Sequence, residues 1–211
     1  MRPTRVAGYS LGSMALCATL AGAFAASGNS TVPDAGASGL RGPQAFASIT
    51  DRTERSRALF AEAGKVIESP RCQNCHPVGE RPTQGDDMHP HLPLVVRGAD
   101  DHGVPALRCT TCHQSTNYEP AGIPGHPKWG MAPISMAWQT KSLGQICEQI
   151  KDPARNGQRS LAQIREHMGH DTLVGWAWHP GGHRTPAPGT QAQFGKLIDA
   201  WIADGAACPE R

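Results

Sequence analysis

The chain has 211 residues, of which 20 are basic and 18 acidic, and these charges are scattered along it instead of forming a block. This balance gives no electrostatic support to nucleic-acid binding, so no nucleic-acid partner is expected. Aromatic residues make up only 5% of the chain, whereas there are 24 Gly and 18 Pro. The composition therefore predicts one domain with long loops and a thin core of its own side chains.

The N-terminal segment combines two arginines, an apolar run and the small residues Ala23-Phe24-Ala25. This pattern is typical of an export signal peptide, here residues 1–25, that is removed on maturation. We therefore expect a soluble periplasmic protein without stable membrane insertion. An uncleaved membrane anchor is the alternative, although Gly and Ser make the run less apolar than a typical span. Lipidation at Cys17 is disfavoured because Leu16, which is not a small residue, precedes it.

Residues 26–49 are rich in Gly, Ala, Ser and Pro and carry few large apolar side chains. Such a segment buries little surface, which predicts a flexible linker. The folded domain is then expected to span residues 50–211. Its first element is a predicted helix over Asp51 to Ser69, with apolar residues spaced for one face, and Pro70 ends it.

Two Cys-x-x-Cys-His motifs follow, and each is the attachment signature of a c-type haem. In a short helical turn the two thiols lie on one side, where they can add to the two vinyl groups of one porphyrin. Behind an export signal, two such motifs predict two covalently bound haem c groups. The motifs are Cys72-Gln73-Asn74-Cys75-His76 and Cys109-Thr110-Thr111-Cys112-His113.

A zinc site and a thiol redox site are alternative interpretations of the paired cysteines. Pairs that share one zinc ion are usually separated by about 12 to 20 residues, whereas 33 residues lie between Cys75 and Cys109. A thioredoxin-like pair would be followed by a long helix, whereas Pro77 comes directly after His76. The sequence therefore favours a di-haem cytochrome c.

The histidines of the motifs, His76 and His113, are the expected proximal ligands of the two irons. The second ring nitrogen of each should donate to a backbone carbonyl or a similar acceptor, because that bond fixes the ring. The iron would cycle between Fe(III) and Fe(II), with axial ligands, hydrogen bonds and burial setting its potential.

Four residues are the preferred distal ligands. His89 and His91 lie on a Pro-rich loop between the motifs, where an imidazole has few structural uses. Met131 lies in, and Met136 close to, a Gly-Met-Ala-Pro loop of the kind that carries a thioether to iron in small cytochromes. We expect one of the histidines on one iron and one of the methionines on the other. A methionine ligand should raise the potential of its haem.

Three later helices are marked by capping boxes. Apolar residues follow each box at helical spacing, and Gly205 is expected to end the last helix. No segment alternates convincingly as a strand. The expected fold class is therefore mainly α: a small cytochrome-c-like domain with long Pro/Gly-rich loops wrapped around two covalently attached haems. The boxes are Ser142-x-x-Gln145, Ser160-x-x-Gln163 and Thr190-x-x-Gln193.

Two cysteines of the mature chain, Cys147 and Cys208, lie outside the haem motifs. Because the expected compartment is oxidising, we predict a disulfide between them. The alternative is a buried thiol at Cys147 and a free one at Cys208 near the C terminus.

Several stretches that cover most of the mature domain resemble a known family. They are Gly85 to His91, Val96 to Pro105, the run into Cys109–His113, Lys151 to Gly157, and Gly175 to Trp178. In these stretches the chain is similar to exported di-haem proteins labelled as an isoquinoline 1-oxidoreductase subunit. The resemblance implies that the protein exchanges electrons with a molybdenum hydroxylase of the aldehyde-oxidase type.

The expected function is therefore electron transfer, from such a hydroxylase to a downstream acceptor in the respiratory chain. No catalytic residue is assigned, and we expect a carrier or an oxidoreductase subunit and not an enzyme. A peroxidase-like haem enzyme is one alternative, and it would need one open iron with acid/base groups beside it. A haem-based ligand sensor is the other.

Overall fold

The computed structural model describes residues 39–210. The predicted signal peptide 1–25 and residues 26–38 of the predicted linker lie outside the described residues. Within the described part the fold is mainly α, as the sequence predicts, with six α-helices and two small hairpins. The helices are α1 (Arg52–Ile67), α2 (Pro70–Gln73), α3 (Leu143–Lys151), α4 (Leu161–His170), α5 (Thr172–Gly175) and α6 (Gln191–Ala203).

The hairpins are two-residue antiparallel pairs, too short to show an alternating pattern in the sequence. Strand β1 (Thr83–Gln84) pairs with β2 (His89–Pro90), and β3 (Gly103–Val104) pairs with β4 (Leu107–Arg108). Both lie in the long segment between α2 and α3, which also carries the second Cys-x-x-Cys-His motif. None of the described helices is long and apolar enough to span a bilayer.

The predicted helix starts are confirmed. Asp51 caps α1 by accepting a hydrogen bond from the amide of Glu54. Complete capping boxes open α3 and α4, and Thr190 caps α6 by accepting from the amide of Gln193. After α6 the chain turns at Gly205, whose φ of 104° is readily available only to glycine.

The core is built around α1, α4 and α6. Phe60 of α1 contacts Trp201 of α6 with 4.8 Å between ring centroids, and both side chains are fully buried. Helices α4 and α6 approach closely at two glycines: a Cβ added to Gly195 would lie 3.0 Å from the Cα of Gly169. This close approach holds together two helices that carry cavity-lining side chains.

The packed part of the chain begins before residue 50. Leu40 and Phe46 are buried in the core, the latter in a short 3-10 helix, Pro43–Phe46. The Arg41 guanidinium binds the carboxylate of Glu62 on α1, with Nε 2.9 Å from Oε2. Residues 39–49 therefore belong to the domain, because two large apolar side chains anchor a segment whose average composition predicts a linker.

The predicted disulfide between Cys147 and Cys208 is confirmed. Cys147 lies on the buried face of α3, and the bond joins this helix to the segment after α6. Gly144 allows that segment to pass close by, since a Cβ there would lie 2.5 Å from the carbonyl oxygens of Pro209 and Glu210.

Candidate functional site

Both histidines of the Cys-x-x-Cys-His motifs are fixed through Nδ1. In His76 this nitrogen donates to the carbonyl of Met136, and in His113 to the carbonyl of Pro124, each at 2.7 Å. A carbonyl can only accept, so Nδ1 must carry the proton in both rings. The neutral rings therefore keep the lone pair on Nε2, which is the arrangement of a metal-binding imidazole.

The first motif forms one wall of a cavity of about 380 Å³. Cys72, Cys75 and His76 line it, and Ile164 and Met168 of α4 and Phe194 of α6 contribute apolar side chains. This size and polarity are within the range of cofactor-binding cavities in proteins.

The loop that contains Ala132 and Trp138 packs against the first motif through backbone hydrogen bonds. The amide of Ala132 donates to the carbonyl of Cys75, and the amide of Trp138 donates to the carbonyl of His76, both at 2.9 Å. The Trp138 ring stacks on the imidazole of His76 with 3.5 Å between centroids and 9° between planes. One face of the imidazole is therefore covered, and the ring has little freedom to rotate.

Burial keeps the groups of the first motif uncharged. It lowers the pKa of His76 to about 4, so the imidazole is neutral at pH 7. It raises the pKa of Cys72 to about 12 and that of Cys75 to about 11, so both thiols stay protonated. Redox-active cysteine pairs need a lowered thiol pKa, and this environment does the opposite.

The second motif lies at the surface, in a 3-10 turn over Cys109–Thr111 followed by Cys112. Cys112 is exposed and Cys109 is partly buried. The imidazole of His113 stacks on Trp129 with 4.7 Å between centroids and 19° between planes. Burial lowers the pKa of His113 as well, which favours the neutral ring.

The two motifs are neighbours in space. Trp129 stacks on His113 of the second motif and also lines the cavity of the first. A negative charge on Cys109 would raise the pKa of Cys75, which also reflects their proximity. The edge of Trp176 packs against the Trp129 ring, with 4.8 Å between centroids.

The cavity also presents cationic and polar donors, which suit the carboxylates of a haem. Arg71 lines it with a side chain only 2% exposed, and its Nη2 contacts Asp86 Oδ1 at 2.6 Å. Arg71 Nε and Trp138 Nε1 are buried and have no hydrogen-bond partner among the described residues. Buried donors are rarely left unpaired, so two thiols, one imidazole and these donors together fit a covalently attached haem.

Two acidic pairs, Asp86-Asp87 in the β1–β2 turn and Asp100-Asp101 just before β3, have structural partners. Asp86 accepts from Thr185 Oγ1 at 2.6 Å in addition to its contact with Arg71. Asp101 pairs with Arg97 at 2.6 Å. Asp100 pairs with Arg108, whose hydrogen bonds lower the Asp100 pKa to about 2. These carboxylates act as turn and ion-pair residues, which is the usual role of Asp in Gly-rich loops.

The preferred distal candidates differ in how free their ligand atoms are. Both ring nitrogens of His89 are engaged: Nδ1 donates to the Asp87 carboxylate at 2.6 Å and Nε2 accepts from the side-chain amide of Gln84 at 3.0 Å. Within the part of the chain that the structure describes, His91 hydrogen-bonds only through Nδ1, and its ring lies 6.0 Å from that of His113.

The two methionine candidates both lie at the cavity of the first motif. Met131 and Met136 are buried and line it. The backbone carbonyl of Met136 is already the acceptor for Nδ1 of His76, so its main chain lies behind the imidazole, away from Nε2. Met131 therefore suits a distal role better than Met136.

His167 of α4 is a cavity residue outside the four preferred distal ligands. Its Nδ1 is 3.6 Å from Asp171 Oδ2, and burial lowers its pKa. A signal for it exists in the sequence: Ile164, His167, Met168 and Asp171 follow the i, i+3, i+4, i+7 pattern of one helix face. All four line the cavity.

Among residues 39–210, no group of three or more His, Cys, Asp or Glu side chains is arranged to hold a metal ion. A haem iron needs only one or two ligands from the protein, because the porphyrin supplies the others. Comparison with known proteins finds no family, no curated protein and no solved structure that matches the chain.

Proposed function

We propose that this protein is a di-haem c-type cytochrome that carries electrons. The observation that carries the proposal is that both motif histidines hold their Nδ1 proton on a backbone carbonyl at 2.7 Å and keep Nε2 unprotonated. This tautomer recurs at the end of both haem-attachment signatures, where the Nε2 lone pair is the one that an iron needs.

The residues of the first motif have defined roles in this proposal. Cys72 and Cys75 would hold the porphyrin covalently through thioether bonds, and His76 would bind the iron through Nε2. Trp138 holds the imidazole in place by stacking, and Arg71 supplies a buried cation for a propionate. A bound haem supplies one-electron Fe(III)/Fe(II) chemistry, whose potential is tuned by ligands and burial.

The second motif would hold its haem closer to solvent. Cys109 and Cys112 would form the thioethers and His113 the proximal bond, with Trp129 stacked on the imidazole. An exposed haem suits electron exchange with another protein, while the neighbouring buried site suits storage or onward transfer within the chain. Because Trp129 stacks on His113 and also lines the cavity of the first motif, the two haems would be held close to each other.

The proposed electron donor is a molybdenum hydroxylase of the aldehyde-oxidase type, and the proposed acceptor belongs to the respiratory chain. This part of the proposal is supported by the resemblance to exported di-haem subunits. It fits a periplasmic protein with a disulfide, since such bonds persist in oxidising compartments.

Haem attachment is tested by mass spectrometry of the mature protein, produced together with c-type haem maturation machinery. The expected mass is that of the polypeptide plus two haems, and Cys109→Ala/Cys112→Ala should carry one. In the wild type both haems should be low-spin by EPR and unchanged by carbon monoxide. A protein that matures without haem, or that binds zinc in its place, would contradict the proposal.

The partner is tested by stopped-flow mixing of the oxidised cytochrome with a substrate-reduced hydroxylase from the same organism. Haem reduction should be fast and should weaken with salt if docking is electrostatic. No reduction by that enzyme would refute the donor while leaving the electron-carrier proposal intact.

A further inference from the structure

His91 and His113 lie close together, at a ring spacing that suits a shared metal ion. Their ring centroids are 6.0 Å apart and their planes are inclined by 58°. Two imidazole nitrogens on opposite sides of one metal, each about 2.0 Å from it, are about 4 Å apart, which places the ring centroids about 6 Å apart. The observed separation therefore matches that of two histidines on opposite sides of one iron.

The tautomer of His91 is fixed in the same way as that of His113. Its Nδ1 donates to the carbonyl of Pro93 at 3.0 Å, and that of His113 donates to Pro124 at 2.7 Å. Since a carbonyl only accepts, Nε2 is the unprotonated nitrogen in both rings. Both members of the pair can thus act as ligands without losing a hydrogen bond.

The backbone around His91 is held in place on both sides. Its amide donates to the carbonyl of Pro82 at 3.0 Å, next to the β1–β2 hairpin. Its carbonyl accepts two hydrogen bonds from the Arg81 guanidinium, from Nε at 3.0 Å and from Nη2 at 2.5 Å. A ligand that is positioned before the metal binds loses little conformational entropy on binding.

The residues after His91 provide an apolar surface beside it. Leu92 and Leu94 are 67% and 66% exposed, which is unusual for large aliphatic side chains in this protein. Exposed aliphatic side chains next to a ligand histidine suit the face of a porphyrin, whose burial against them would be favourable.

We infer that His91 is the distal ligand of the haem iron held by Cys109, Cys112 and His113, which makes this haem bis-histidine. The inference rests on the proposed function and adds to it the ligation of one particular iron. It also separates His91 from its neighbour His89, both of whose ring nitrogens are occupied. With two imidazole ligands this haem should have the lower potential if the other iron has a methionine ligand.

The test compares His91→Ala and His91→Met with His89→Gln as the matched control, all as haem-loaded mature proteins. His91→Ala should convert one of the two haems to a high-spin form that binds carbon monoxide, seen by EPR and optical spectra. His91→Met should keep that haem low-spin, raise its midpoint potential and add the weak near-infrared band of a methionine ligand. His89→Gln should leave spin states, carbon monoxide binding and potentials unchanged.

The outcomes are distinguishable. If peptide mass mapping finds haem on Cys109 and Cys112 while His91→Ala keeps two low-spin haems that ignore carbon monoxide, the ligand assignment is wrong and the proposed function stands. The ligand assignment is also wrong if His89→Gln produces the high-spin haem. If the wild type carries no haem on these cysteines, the proposed function fails and the inference fails with it. The unchanged spectrum of the first haem in every variant serves as the check on folding.

Discussion

The disulfide between Cys147 and Cys208 should contribute several kcal/mol to stability. Its partners are separated by 61 residues, and the chain-entropy relation gives about 4 kcal/mol for a loop of this length. The cleanest perturbation is Cys208→Ser, because it breaks the bond and leaves the fully buried thiol of Cys147 in place. Because this variant makes no cavity in the core, the decrease in the free energy of unfolding measures the contribution of the cross-link.

The assay is equilibrium unfolding in urea of the mature protein, produced with c-type haem maturation machinery, followed by tryptophan fluorescence and by absorbance of the proposed haems. With a denaturant dependence of about 2 kcal/mol/M, a loss of about 4 kcal/mol lowers the midpoint by about 2 M. Coincidence of the two probes is needed, because bound cofactors can break two-state behaviour.

Two controls separate the cross-link from other effects. A phosphine reductant should lower the midpoint of the wild type by the same amount and leave Cys208→Ser unchanged. The double variant Cys147→Ala/Cys208→Ser should lose a further increment, because it also removes buried sulfur from the core. A loss of less than about 1 kcal/mol in Cys208→Ser would refute the reasoning, because it would mean that the bond hardly restricts the unfolded chain.

Two further predictions concern the packing of the domain, and a third concerns the pH dependence of an ion pair. Phe46→Ala should lower the free energy of unfolding by about 3 kcal/mol, since this buried ring anchors the segment before α1; a neutral effect in urea unfolding would mean that the segment is a free linker. Gly195→Ala should be destabilising by about 1 kcal/mol in the same assay, because overpacking against Gly169 outweighs the gain in helix propensity; a more stable variant would contradict the close helix approach. The hydrogen bond from Arg55 lowers the pKa of Asp204, so the folded state binds this proton less tightly than the unfolded state, and the ion pair stabilises the fold above about pH 4. The stability difference between the wild type and Asp204→Asn should therefore shrink as the pH falls from 5 towards 2, and a difference that is independent of pH would argue against the pair.

Local signals in the sequence are sufficient for most of the helical framework. The capping boxes at Ser142 and Ser160 mark helix starts that the structure confirms, because a cap needs only residues within one turn. The pairing of Cys147 with Cys208 is predictable by counting, since the two motifs account for the other cysteines after residue 25.

The features that the sequence does not reveal depend on tertiary contacts. Leu40 and Phe46 are two isolated apolar residues in a Gly- and Pro-rich stretch, and composition alone gives them no partner. The stacking of Trp138 on His76 joins residues far apart in sequence through an irregular loop. The helical spacing of His167 is visible in the sequence. The sequence favours loop residues as distal ligands, however, and His167 lies on a helix.

Trp129 lies between the two proposed haem sites, and their nearness gives the pair a property that neither haem would have alone. One indole ring lies against the imidazole of the second site and forms part of the wall of the first. An electron held at one proposed site would add negative charge close to the other, and this repulsion would be equal in both directions. The second electron would then enter at a lower potential than the first, so the protein would buffer its redox state over a wider range of potentials than two independent centres with the same intrinsic potentials.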